Sequence, residues 1–216
     1  MLLLLTTMSG VIDAVSILGL GRVFVANMTR NIVFIGFAIV GVPGFYLAAS
    51  VAALGGFLLG AFIGGAIVDA FGKHRGLLLR NACGLEFVIV AVALVITLIA
   101  DDDKGRLARV AVAALCAVAM GIQNTAARRL AVPDLTTTVL TMTLTGIAAD
   151  VRRSGVATIT RRALAVSTMF AGAVVGALLV LHTRLACELA LALFLLALVT
   201  VAAALQSRRP ATWHAA

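Results

Sequence analysis

Charge is what this chain has least of. Asp, Glu, Lys and Arg make up 12% of its 216 residues, against roughly 25% in soluble globular domains, and that shortfall excludes a fold with a fully solvated surface. Lysine is confined to Lys73 and Lys104, so arginine carries almost all of the net charge of +8. Aromatic residues are 6% of the chain, with one Trp and one Tyr. The basic residues stand singly or in pairs between apolar runs, without a basic stripe or interleaved aromatics, which argues against nucleic acid as a partner. Cys83, Cys116 and Cys187 lie singly in apolar segments with no CxxC or Cys/His spacing, so no metal site is expected and small packing residues are. His74, His182 and His214 sit at segment boundaries or in the tail, as interfacial polar residues do. There is no HExxH, GxSxG or GxxxxGK[ST], and no Ser/His or Cys/His pair on a shared face. Neither an enzyme nor a bound cofactor is expected.

What remains is apolar. Hydrophobic residues are 62% of the chain and mean hydropathy is +1.15, which makes this an all-α polytopic membrane protein whose first partner is the lipid bilayer. Spanning the hydrocarbon takes about 20 apolar residues, and segments near 2–21, 46–70, 79–100, 107–127, 163–181 and 185–205 satisfy this. The first is not a secretory signal, because no basic residues precede it and Asp13 interrupts its core. Two further stretches, 31–45 and 134–150, are shorter or more polar and read as broken or re-entrant elements.

Arginine placement decides between six spans and eight. With six and a cytoplasmic amino terminus, the inner side collects Lys73, Arg75, Arg80, Arg128, Arg129, Arg152, Arg153, Arg161, Arg162, Arg208 and Arg209, eleven of seventeen positive residues; eight spans split them nine to eight, which is no bias. Six spans are therefore expected, in a bacterial cytoplasmic (inner) membrane, with both termini and the polar 206–216 tail cytoplasmic. The acidic run Asp101 to Asp103 then falls in an external loop.

The chain also reads as two similar halves, 1–100 and 107–205. Gly10-Val11-Ile12-Asp13 matches Gly121-Ile122-Gln123-Asn124, and Met28-Thr29-Arg30-Asn31 matches Leu140-Thr141-Met142-Thr143. Gly60 to Gly64 matches Gly172 to Gly176, and the stretch around Glu86 resembles that around Glu188 at a shorter offset. Three spans per half make the repeat inverted, an arrangement in which transporters place their site near the midplane.

Asp13 is the leading site candidate. A carboxylate at the centre of an inserted helix costs about 2.5–3.5 kcal/mol, so it usually faces a partner, a cavity or a solute. It could bind a proton or cation, pair with Arg30, or be satisfied by neighbouring helices. Its counterpart Asn124, beside Gln123, keeps polarity without charge; such amides also serve as interhelical hydrogen bonds of roughly 1 kcal/mol. Asn27, Thr29 and Asn31, with Thr141, Thr143 and Thr145, stand where the short elements begin and could coordinate a polar solute if the backbone unwinds there. Threonines bonded back to their own helix are the plainer alternative. Arg30 could instead be a boundary arginine reaching the interface. Glu86 and Glu188 read first as carboxylates near helix starts and second as proton-relay residues. Gly56, Gly60 and Gly64, echoed by Gly172 and Gly176, form small-residue ladders for close helix packing and predict that the helices carrying them lie in the protein core.

GVIDAVSILGLGRVFVANMTRN, MGIQNTAARRL and TTVLTMTLTG together resemble the YoaK-like family of bacterial membrane proteins, domain-of-unknown-function family 1275, over essentially the whole chain. The resemblance implies about six spans and carries no established activity. Two positions depart from the family pattern: Arg30 and Met142 stand where it has glycine, which would permit an unusual backbone or a close approach. The expected function is a small-solute transporter or permease using a polar solute or proton, with a homo-oligomer compatible with so small a chain. A non-transporting assembly or sensor protein is the alternative, and a membrane enzyme acting on a lipid ranks below both.

Overall fold

Each long apolar run forms one helix. In the computed structural model, residues 1–100, 105–130, 140–150 and 155–207 are described, and they contain eight helices: α1 (Leu2–Gly19), α2 (Met28–Ile39), α3 (Leu47–Phe71), α4 (Arg75–Ile99), α5 (Gly105–Leu130), α6 (Leu140–Ala149), α7 (Val156–His182) and α8 (Leu185–Ser207). Six of them, α1, α3, α4, α5, α7 and α8, are long and apolar enough to cross a membrane. With 12 and 10 residues, α2 and α6 extend only ~18 and ~15 Å at 1.5 Å per residue, too short for a hydrocarbon core of about 30 Å.

The helix starts differ from the hydropathy reading where arginine intervenes. α4 begins at Arg75 rather than near 79, and α7 at Val156 rather than near 163. Arginine stems lie along apolar surface while their heads reach the interface, so Arg80, Arg161 and Arg162 lower local hydropathy without ending a helix. α2 begins at Met28 and ends at Ile39 instead of covering 31–45. Gly41 and Gly44, at φ +84° and +85°, flank Pro43 and stop it, since the left-handed region suits glycine. The 134–139 part of the second short stretch and the acidic run Asp101 to Asp103 lie outside the described residues.

Four helices close an inner ring, α1 on α8, α8 on α4, α4 on α5 and α5 lightly on α1. Met8, Ile12, Met120, Ile122, Leu189 and Leu196 are among its fully buried side chains. α3 packs along α5 and α7 along α1. Both seams depend on glycine: a Cβ at Gly60 would overlap the Val118 carbonyl, and one at Gly121 the Phe57 carbonyl; across the other seam Gly172 meets Thr7 and Gly10 meets Met169. Gly64 lies against Ile122 and Thr125, and Gly176 against Val11 and Ala14. The ladders thus pack as expected, but the helices that carry them are peripheral rather than central. Leu58, Leu59 and Phe62 of α3, and Phe170 and Leu178 of α7, are exposed on the outer faces. Close backbone approach needs only one glycine face, and the others are left for lipid.

Candidate functional site

α1 ends in a tight turn. Gly21 at φ +98° and Arg22 at φ 56° turn the backbone sharply after Gly19, and Val23, Phe24 and Val25 that follow are buried at 0%, 6% and 0% exposure. The chain therefore folds back into the protein. Asp13 precedes the end of α1 by six residues, a descent of ~9 Å at 1.5 Å per residue, and the returning segment reaches that depth: the Ala26 N–H donates to Asp13 Oδ1 at 3.2 Å.

Unwound backbone inside a membrane protein needs partners for its N–H and C=O groups, and it survives only where protein or a cavity surrounds it. Two side chains supply them here. Asn31, fully buried in the first turn of α2, accepts from the Phe24 N–H through Oδ1 at 2.9 Å and donates through Nδ2 to the Phe24 carbonyl. Asp13 holds Ala26 two residues later. α2 then starts at Met28 with its amino end directed at this depth, where a carboxylate complements the positive end of a helix. Phe34 packs on Phe24 and Phe45 at ring separations of 5.7 and 4.8 Å, and the Arg30 guanidinium lies 4.6 Å above the Phe24 ring.

Of the first-half candidates, Asp13 and Asn31 are thus brought together around one loop. Asn27 is half-buried at the loop's end, and Thr29 is exposed. Arg30 is exposed and helical, outside the positive-φ residues, so arginine is accommodated there without backbone strain, and its charge acts on Asp13 while its head lies over Phe24.

In the second half, Gln123 is buried at 2% exposure and donates through Nε2 to Ser9 Oγ at 2.9 Å, while Ser9 donates to the Leu5 carbonyl. This is a direct polar link between α1 and α5. Asn124 is half-buried beside it and Thr143 is buried; both have polar partners. Thr141 and Thr145 are exposed, and the Thr145 hydroxyl caps the Thr141 carbonyl at 2.9 Å, the plainer of the two roles expected for these threonines. Sequence reasoning missed Ser9 and the Phe24 backbone. A serine in a Met-Ser-Gly run carries no signal of its own, and a backbone site is invisible in side-chain identity.

Glu86 and Glu188 are both buried, at 0% and 1% exposure. They stand at different places in their helices. Glu188 is in the first turn of α8, as the helix-start reading has it, whereas Glu86 is mid-helix. Cys83 and Cys116 are buried and Cys187 is exposed, all as free thiols. Among the described residues no group of three His, Cys, Asp or Glu could hold a metal. A cavity of about 490 Å³ opens where α1 and α4 end and α5 and α8 begin, lined by Gly19, Thr97, Arg109 and Arg184 among others, but it does not include Asp13.

The chain from 1 to 202 matches the family model described as a protein of unknown function, DUF1275. The chain belongs to this family. This DUF1275 protein is also 33% identical over 151 residues to the UPF0700 transmembrane protein YoaK of Bacillus subtilis (strain 168), a match covering 70% of this chain and 66% of the relative. The match thus spans just under two thirds of the relative's own length. No solved structure matches.

Proposed function

We propose that this DUF1275 protein is a small-solute transporter of the bacterial cytoplasmic membrane, built from two inverted three-span halves, 1–100 and 107–205, with both termini inside. The observation that carries the reading is the folded-back segment after α1, an unwound backbone held at the depth of Asp13 with a short helix starting from it. Transporters place substrate and coupling-ion sites at such discontinuous helices. The duplication is supported by the two glycine seams, whose contacts pair Gly10 with Gly121, Gly60 with Gly172 and Gly64 with Gly176 in equivalent roles. Asp13 binds a proton or cationic group; Asn27, Asn31, Gln123, Asn124 and Thr143 orient a polar solute, with Thr29 and Thr141 at the outer approach. Because Asn31 spends its amide on Phe24, solute entry exchanges that pair for solute contacts, which makes the segment a gate.

The second reading, a non-transporting assembly or sensor protein, is favoured by the same internal pairing, since Asp13 and Asn31 satisfy their own chain. A thermal-shift screen of purified protein against a metabolite library separates them. A solute that binds only the folded protein stabilises it by about 2.7 kcal/mol at a hundred times its Kd, so a transporter is expected to yield at least one stabilising polar solute whose effect is lost in Asp13→Asn. A library without a stabilising member, together with a lower melting temperature for Asp13→Asn, favours the helix-lock protein.

A further inference from the structure

Glu86 occupies the middle of α4, eleven residues from Arg75 and thirteen from Ile99, or ~16 and ~20 Å from the two ends at 1.5 Å per residue. It is fully buried, and neither carboxyl oxygen has a hydrogen-bond partner. At 100° per residue it lies at the centre of the buried stripe of α4, between Ala82, which packs with Ile122 and Ala126 of α5, and Cys83. That cluster sets Ala82 against the Ile122 turn of α5, and Glu86 stands one turn further along α4. Gln123, the residue after Ile122, points into the same ring and has a buried Oε1 with no donor.

The two Glu86 oxygens, and the Gln123 oxygen about one turn away, therefore have no donor. Buried charge without a partner is strongly unfavourable, and a group so placed neutralises instead. The groups facing Glu86 offer no countercharge. Cys83 lies one turn away on α4 and Cys116 on α5, Glu188 sits in the first turn of α8 at the Thr97 end of α4, and Asp69 of α3 and the arginines of α4 and α5 sit toward helix ends. No Lys, Arg or His is buried among the described residues. A proton on the carboxyl neutralises it without a new side chain.

We propose that Glu86 is an exchangeable proton site at the centre of the inner ring, distinct from the Asp13 segment, with Gln123 as its neutral neighbour and the Ser9 bond holding Gln123 in place. The step is simple acid dissociation: the carboxyl O–H breaks, the electron pair stays on Glu86, and the proton passes to water admitted when the ring loosens. As a coupling site for solute movement it rests on the transport reading; as a proton site it does not.

Infrared difference spectroscopy of the full chain in proteoliposomes tests it. The wild type is expected to show a C=O band of a protonated carboxyl that shifts down in D2O, is lost in Glu86→Gln, and persists in Asp13→Asn and Glu188→Gln. A band unchanged in Glu86→Gln, or one lost in Glu86→Gln that never shifts in D2O, overturns the proposal. If Glu86→Gln does not fold, dicyclohexylcarbodiimide treatment of the wild type followed by peptide mapping decides instead, because the carbodiimide adds to protonated carboxyls in apolar surroundings. An adduct on Glu86 that fades at high pH supports the site, and an unmodified Glu86 overturns it. Proton exchange at Glu86 without any solute release by the protein leaves this site standing while the transport reading fails.

Discussion

Gly60→Leu is expected to abolish the monodisperse folded protein in detergent, and Gly172→Leu to do the same from the opposite seam. At both positions even a methyl overlaps the backbone of the facing helix, at Val118 and at Thr7. Overpacking a side-chain core costs typically 1–3 kcal/mol; here the obstacle is a carbonyl within a helix, which can yield only by moving the helix, so the loss should exceed that range. Gly65→Leu is the matched control, on the same helix as Gly60 with nothing within 4 Å of its Cβ position. Size-exclusion profiles and melting curves of the three variants check this, with Gly65→Leu expected to match the wild type. Equal behaviour of Gly60→Leu and Gly65→Leu would remove the seam from the description of the fold.

Asn31→Leu is expected to destabilise by roughly 2–5 kcal/mol, since it strands both the N–H and the C=O of Phe24, each buried unpaired group costing about 1–3 kcal/mol. Asp13→Leu removes the acceptor of the Ala26 N–H and of the weaker Val25 contact and is expected to cost about 1–3 kcal/mol. Asp13→Asn keeps an acceptor oxygen and should be milder. Hydrogen exchange sharpens the comparison: the Phe24 amide should exchange faster in Asn31→Leu and the Ala26 amide faster in Asp13→Leu, each without loosening α4. Wild-type stability and exchange in both variants would mean that the segment after α1 is held by something else.

The six spans were legible because a continuous apolar run of 20 residues has few alternatives to a membrane helix. Where the reading slipped, at the starts of α4 and α7, hydropathy was tracking side chains while the helix followed the backbone. Asp13 and Asn31 stood out as polar residues in apolar surroundings, and both are buried. Their partners were not legible. A side chain that serves its own chain's backbone, 7 or 13 residues away, leaves no complementary residue to find, whereas the charge of Arg30, which also acts on Asp13, is visible in the sequence. Thr29 and Thr141 have the same composition cue as Asn31 and Thr143, but they fall on the exposed side of short helices whose phase could not be set from 10 or 12 residues. Glu86 and Glu188 share a local sequence context and both are buried, but a position in the first turn of α8 and one in the middle of α4 cannot be told apart before the helix bounds are known.

The most direct measurement is release from proteoliposomes loaded with a bacterial metabolite extract, followed by mass spectrometry after dilution. Wild-type vesicles are expected to lose at least one small polar solute faster than protein-free vesicles, and Asp13→Asn vesicles, with the protein still folded, to retain it. Identical metabolite contents in wild-type and protein-free vesicles over the same interval would contradict transport.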